Sequence, residues 1–277
     1  MATLNNLPQM SQSKFIQYLL VIIFMIYASS ARAYYPFITD DTGTQGMGGN
    51  QLEFAYEFSK EHNDILNENG NSIGTGTGTS NLLGMTYTRG IAETVDIFIG
   101  GVRQINPVNG WQNSAIGVKW SFIGDQKQGW SAAIKPSVIL PVSNSMQKNG
   151  LGNADTNVSI SLIGSYVAED YEAHVNTRYT SNNRPNNQVD DPQRRDLWSV
   201  SISPVLNLNA NWKLGIDAGV QTNPGYNSRY QLFGGIGAVY APIENLQVGF
   251  GMYAIPAINS NDNGWAYALT TGVTYQF

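Results

Sequence analysis

The sequence predicts an all-β fold, a transmembrane antiparallel β-barrel of about 12 strands with short turns at one end and longer loops at the other. Three observations carry this. Apolar residues recur at every second position, in segments of about ten residues, through nearly all of the chain after its first 50 residues. The connections between segments alternate between short and long. Ionisable residues make up only 13% of the chain, against roughly a quarter in soluble domains, and they keep to one phase of the alternation.

The N-terminus comes first. Residues 15–27 form the single apolar stretch; at 13 residues it is too short for a bilayer-spanning helix. Lys14 precedes it, and Ala31-Arg32-Ala33 closes the run of small residues that follows. A positive flank, a short apolar core and an A-x-A site read as a secretory signal peptide over 1–33. Cleavage after Ala33 leaves 244 residues starting at Tyr34, with net charge −7. Residues 34–50 then form a Gly/Thr-rich segment that opens with Tyr34, Tyr35 and Phe37. We expect it to enter the barrel lumen and narrow or plug it. The barrel itself is expected over 51–277.

The strands follow in order. Leu52, Phe54, Tyr56 and Phe58 form the first apolar face. Next come Leu83, Met85 and Tyr87, then Val95, Ile97 and Ile99. Ile116, Val118, Trp120 and Phe122 make the fourth, and Ala132, Ile134, Pro136, Val138 and Leu140 the fifth. Val158, Ile160, Leu162 and Tyr166 are the sixth; Tyr171, Ala173, Val175 and Tyr179 are the seventh. Trp198, Val200, Ile202 and Leu206 precede Trp212, Leu214, Ile216, Ala218 and Val220. Leu232, Ile236 and Tyr240 are weaker, because Phe233 and Val239 sit in the opposite phase. Leu246, Val248, Phe250 and Met252 make the eleventh. Trp265 through Phe277 form the last, with Tyr267, Leu269, Val273 and Tyr275 on its apolar face. Short turns lie near 90–94, 124–129, 168–170, 207–211 and 241–245. Long loops are expected at 60–79, 104–113, 141–156, 181–195, 222–228 and 255–263. An open edge in lipid would leave backbone groups unpaired, so the sheet must close.

The phases were set on apolar residues, so the charges are a partly independent check. Glu53, Glu57, Asp96, Lys119, Lys135, Glu172, His174, Arg178, Lys213 and Asp217 all take the inner phase. A lysine or arginine facing lipid at mid-bilayer costs about 2–4 kcal/mol, which explains the sorting. Arg89 and Arg103 take the outer phase, but at strand ends. Aromatic residues cluster at both ends of the strands, as two interfacial girdles require.

Tyr275-Gln276-Phe277, closing an alternating strand, resembles the terminal signal of bacterial outer-membrane proteins; Tyr275 and Phe277 carry it. The resemblance implies the barrel assembly machinery as a partner and a Gram-negative cell outer membrane as the location. The run from Pro36 through Asp40-Asp41 to Gly46, then Gly48-Gly49-Asn50-Gln51-Leu52-Glu53, resembles the opening of an outer-membrane family labelled "putative meta-pathway of phenol degradation". Gly150, Gly152, Asn153 and Asp155 sit in a loop before a strand, as in that family. The family label implies passage of aromatic compounds and ties no residue to a role.

Little in the chain points to catalysis. His62-Asn63-Asp64 reads as a polar loop, with a protease-like pair as the alternative. His174 has the wrong phase for a lipid-facing Ser–His site. No spacing suggests a transition-metal site; Asp40-Asp41 and Asp190-Asp191 offer weak calcium ligands, but their surroundings match no defined calcium loop. Gly74, Gly76 and Gly78 lack the lysine and helix of a phosphate cradle. Absence of cysteine excludes thiolate chemistry, and the net charge of −5 argues against nucleic acid. No cofactor and no metal are expected.

Function therefore belongs to the lumen. Its strands carry five acids and four bases, either paired across the lumen or lining a pore. Lys119 and Lys135, on adjacent strands, form a weakly anion-attracting patch unless Asp96 or Glu172 neutralises them. Phe98, Phe233 and Tyr253 offer a greasy contact for an aromatic solute, or fill space under the plug. The leading expectation is a passive channel or transporter for a small solute, aromatic or otherwise weakly polar, in contact with outer-membrane lipid. The alternatives are a structural or adhesive barrel acting through loops 60–79 and 181–195, and, third, an outer-membrane hydrolase.

Overall fold

A computed structural model describes residues 36–66, 72–183, 193–224, 229–256 and 265–277. The expected leader, Tyr34, Tyr35, Asp190-Asp191 and the side chains of Asn63, Asp64 and Trp265 lie outside the described residues.

The chain is a closed antiparallel barrel. Its strands are β1 (Asn50–Leu66), β2 (Ser72–Ala92), β3 (Val95–Asn106), β4 (Gly110–Trp111), β5 (Ala115–Gly124), β6 (Gly129–Ile139), β7 (Asn157–Val167), β8 (Tyr171–Ser181), β9 (Asp196–Asn207), β10 (Trp212–Thr222), β11 (Tyr230–Ile243), β12 (Leu246–Pro256) and β13 (Trp265–Gln276). The two-residue β4 pairs with the outer part of β3, ahead of β5, so the wall counts twelve full strands. Each of the twelve full strands pairs with the full strands before and after it, and β1 pairs with β13 from Gln51↔Gln276 to His62↔Trp265. That seam removes both edges of the sheet, as a lipid environment demands.

The alternation read from the sequence is the alternation of the wall. Ile97, Ile99, Ile116, Val118, Leu162, Ile202, Ile216 and Phe250 are exposed on the outside. Asp96, Lys119, Glu172, His174 and Asp217 are buried on the inside. In an aqueous protein the exposed set would be the liability; around a barrel it is the lipid-facing belt. The girdle at the short-turn end holds its rings in contact. Trp212 and Tyr240 stack at 4.6 Å between centroids, Trp130 and Tyr166 lie at 4.9 Å, and Tyr275 and Phe277 at 5.7 Å. Tyr179 and Trp198 pair at 4.9 Å at the opposite end.

Three features differ from the sequence expectation. The stretch 60–79 is not a loop: β1 and β2 run to 17 and 21 residues and stay paired up to Leu66↔Ser72. About ten residues span the bilayer, so this hairpin continues past it. Its Thr/Gly alternation lacks apolar residues, which hides a strand that leaves lipid. A short helix, α1 (Asn144–Lys148), lies in the 141–156 loop, where the Ser143 hydroxyl accepts the Met146 N–H at 3.2 Å. Finally, Phe233 and Val239 are buried on the inner side, out of phase with the apolar face of β11, and the Phe233 ring lies over Gly219 on β10. Val239 clusters with Val205 and with Phe37 of the N-terminal segment.

Candidate functional site

Hydrogen bonds tie residues 36–49 to inward-facing residues of the wall, from β10 round to β2. The path begins at Phe37. Its ring fits over Gly215 and Gly237, where a Cβ would come within 2.6 and 2.9 Å of it, so those wall positions admit the ring only as glycine. Tyr253 on β12 donates its hydroxyl to the Pro36 carbonyl at 3.0 Å.

Asp217 on β10 is the next anchor, with 0% exposure. Its carboxylate accepts the backbone N–H of Ile38 (2.5 Å), the N–H of Thr39 (3.1 Å) and the Thr39 hydroxyl (2.6 Å). The Tyr253 hydroxyl lies 3.3 Å away. Several converging donors are what a buried carboxylate without a cation needs.

Across the lumen the segment reverses the roles and supplies the carboxylates. Asp40 accepts from Lys119 at 3.2 Å and from Lys135 at 2.6 Å; Asp41 accepts from Lys119 at 3.1 Å. Burial works against an ionised Asp40, yet the two ammonium groups outweigh it and hold its carboxyl well below the usual range. Asn176 on β8, its amide turned to match, accepts the Asp40 N–H at 2.5 Å and donates to the Asp40 carbonyl at 2.9 Å.

Further along, Thr42 donates its N–H to Ser165 (3.1 Å) and its hydroxyl lies 2.6 Å from that of Ser131. The Thr44 N–H reaches Gln126 at 2.8 Å. The Gln45 N–H donates to Asp96 at 3.0 Å. The segment leaves beside β2, where Gly48 N–H donates to Gly90 and Gly90 N–H to Gly49, both at 2.9 Å. The fit is tight: a Cβ on Gly90 would fall 1.7 Å from the Gly46 carbonyl oxygen.

The sequence-predicted residues fall into groups. Glu53, Asp96, Phe98, Lys119 and Lys135 line one cavity of about 70 Å³ with Asp40 and Asp41. Glu172, His174 and Lys213 form a second cluster: Lys213 bonds Glu172 at 2.5 Å, and His174 Nε2 lies 3.5 Å from Glu172. Asp217 and Tyr253 gather at the start of the segment, while Phe233 lies against Gly219. Arg178 donates to Ser161 at 3.1 Å, and Glu57 joins no cluster.

The expected anion-attracting patch is corrected by this geometry. Lys119 stands opposite Asp96 in register, but its ammonium is bonded by Asp40 and Asp41 instead. The same bonds occupy the two aspartates considered for calcium. Asp40, Asp41, Thr39, Gln45 and Ser165 were not among the sequence candidates. Two inward lysines on neighbouring strands, facing a segment that carries adjacent aspartates, were the available signal.

Ser165, His174 and Glu172 follow one another in space, with Ser165 2.8 Å from His174 Nδ1. Those are the residue types of a hydrolytic triad, but the serine oxygen already accepts the Thr42 N–H, and Ser165 is 1% exposed. A substrate carbonyl has no approach to it.

A closed twelve-stranded wall, a lipid-facing belt and an N-terminal segment among inward charges set the terms for comparison. Over residues 39–255 the chain matches the family described as "Putative MetA-pathway of phenol degradation". The chain belongs to this family. No curated protein matches it. Among solved structures, it resembles an outer membrane channel from Pseudomonas putida F1 at 12% identity, over 86% of this chain and 98% of that one, with a TM-score of 0.63. The NanC porin is similar at 11% identity over 79% and 98% of the two chains, with a TM-score of 0.55. The transport unit of the autotransporter AIDA-I from Escherichia coli gives 14% identity, 81% and 90% coverage and a TM-score of 0.52. At these identities the likeness shows the barrel fold.

Proposed function

We propose that the protein is a Gram-negative outer-membrane channel for passive passage of a small solute, and that residues 34–49 narrow its lumen. The observation that carries this reading is the segment's double anchorage, to Asp217 on one wall and to Lys119 and Lys135 on the other. The segment runs beside the inner wall and leaves with it a cavity of about 70 Å³ next to Phe98. The family description favours weakly polar aromatic solutes as the first class to test. Phe98 is the ring at that cavity, with the Lys135 ammonium 4.9 Å from its centroid. Tyr253 is bonded to the segment, which leaves it a packing role.

Planar-bilayer recordings test this. The chain lacking 34–49 is expected to give a larger unit conductance than the full mature chain, and swelling of liposomes in phenolic solutes is expected to exceed swelling in sugars of equal size. Equal conductance in both chains would overturn the role of the segment. Absence of conductance in both would overturn the channel.

The long β1–β2 hairpin favours a second reading, a surface-binding barrel. Trimming residues 61–77 would then abolish cell-surface binding while leaving conductance unchanged.

A further inference from the structure

β1 carries Glu53, Glu57 and Glu61 in its inner phase, four residues apart. At the rise of an extended strand, successive carboxylates stand roughly 13 Å apart along the wall. Their cross-strand neighbours are neutral. Glu53 faces Thr86 and Thr274, Glu57 faces Leu82 and Thr270, and Glu61 faces Gly78 and Ala266. Among the described residues, neither Glu53 nor Glu57 makes an ion pair. The two lysines that share the Glu53 cavity are bonded to Asp40 and Asp41. With those aspartates counted, the lumen holds seven assigned acids besides Glu61 against four bases. The segment's aspartates have taken up Lys119 and Lys135, and neither lysine is paired with Glu53 or Glu57.

A second observation lies at the lower end of that file. Gln45 is 5% exposed and lines the same cavity as Glu53 and Asp96. Its Nε2 donates to Gln51 at 2.8 Å and its backbone N–H to Asp96, but its Oε1 has no hydrogen-bond partner. Thr270 Oγ1, in register with Glu57, is likewise unpartnered. A buried acceptor left unmatched is costly, so the position calls for a donor or a cation.

We infer that the path beside the segment is a cation-preferring file. Glu57 and Glu53 lead to a point where Gln45 Oε1, Glu53 and Asp96 receive a monovalent cation or the ammonium group of a small organic solute. Fixed carboxylates on a low-dielectric wall concentrate cations and exclude anions. This rests on the channel reading above and gives that channel its sign.

The test is the reversal potential in asymmetric KCl, measured on the full mature chain, on E53Q/E57Q and on the chain lacking 34–49. The intact channel is expected to pass K⁺ in preference to Cl⁻. The double variant is expected to lose most of that preference. Deleting the segment uncovers Lys119 and Lys135 and is expected to shift the ratio toward Cl⁻. Chloride preference in the intact chain overturns the inference, and so does an unchanged ratio in E53Q/E57Q. The sign in the unaltered chain decides the matter even where the double variant fails to fold. Currents of the wrong sign reject this inference alone; no current in any of the three chains rejects the channel reading with it.

Discussion

The Asp217 carboxylate accepts the backbone N–H of Ile38 at 2.5 Å, although 179 residues separate the two. One wall residue therefore fixes the path of the N-terminal segment through backbone contacts that any side chain at position 38 would permit. Its removal has a local outcome. Asp217→Ala orphans the Ile38 and Thr39 N–H groups, at about 1–3 kcal/mol for each donor that stays buried. The segment is expected to leave the wall and become open to protease, while the barrel keeps its heat-modifiable mobility. Conductance should rise toward that of the chain lacking 34–49.

A prediction about acid follows from Asp40. Its folded-state pKa is depressed below that of the unfolded chain, so the pair adds stability that is complete above about pH 4 and is lost as pH falls through the folded value. Hydrogen exchange of residues 38–45 should stay slow from neutral pH down to about pH 4 and quicken only below it. Release of Asp40 between pH 7 and pH 5 would contradict the ion-pair assignment.

Gly90→Ala tests the exit of the segment. The added methyl group would overlap the Gly46 carbonyl oxygen, which a Cβ approaches to 1.7 Å, and backbone on both sides must move. The Gly48–Gly90–Gly49 bonds are expected to break, with cleavage by protease near Met47, a residue already exposed. Ala92→Gly, two residues on, provides a control that should leave this region intact.

The outer face gives a prediction about stability. Ile202, 50% exposed in the middle of β9, faces lipid in this fold. Ile202→Lys is expected to destabilise the barrel by about 2–4 kcal/mol in urea titrations of the protein folded into vesicles. Ser203→Ala, one residue away on the inner face, removes one hydrogen bond to the Ile216 carbonyl and should cost about 1 kcal/mol.

The strands were legible because lipid leaves little choice. A residue such as Leu162 or Ile202 must be apolar, and Lys119 or Asp217 must turn inward, so the alternation is strict. Where lipid no longer governs, the signal fades. The Thr/Gly run of β2 pairs outside the bilayer without an apolar face. Val239 answers to an apolar patch completed by Phe37, far away in sequence, and Phe233 to the space left by Gly219 on the neighbouring strand. The charges were legible as inward, but their partners were not. A period-two pattern fixes the phase of Lys119, whereas its bonds to Asp40 and Asp41 depend on where a segment without periodicity lies.

The joints of the cylinder are unequal. β1 meets β13 in twelve consecutive pairs, whereas β3 meets β5 in six, from Val95↔Trp120 to Gly100↔Ala115, with two more supplied by β4. The chain's first and last ribbons are thus fastened more firmly than two neighbours in mid-sequence. Like a cask with one short stave, the wall will begin to part under heat or tension between β3 and β5, and the seam will hold longer.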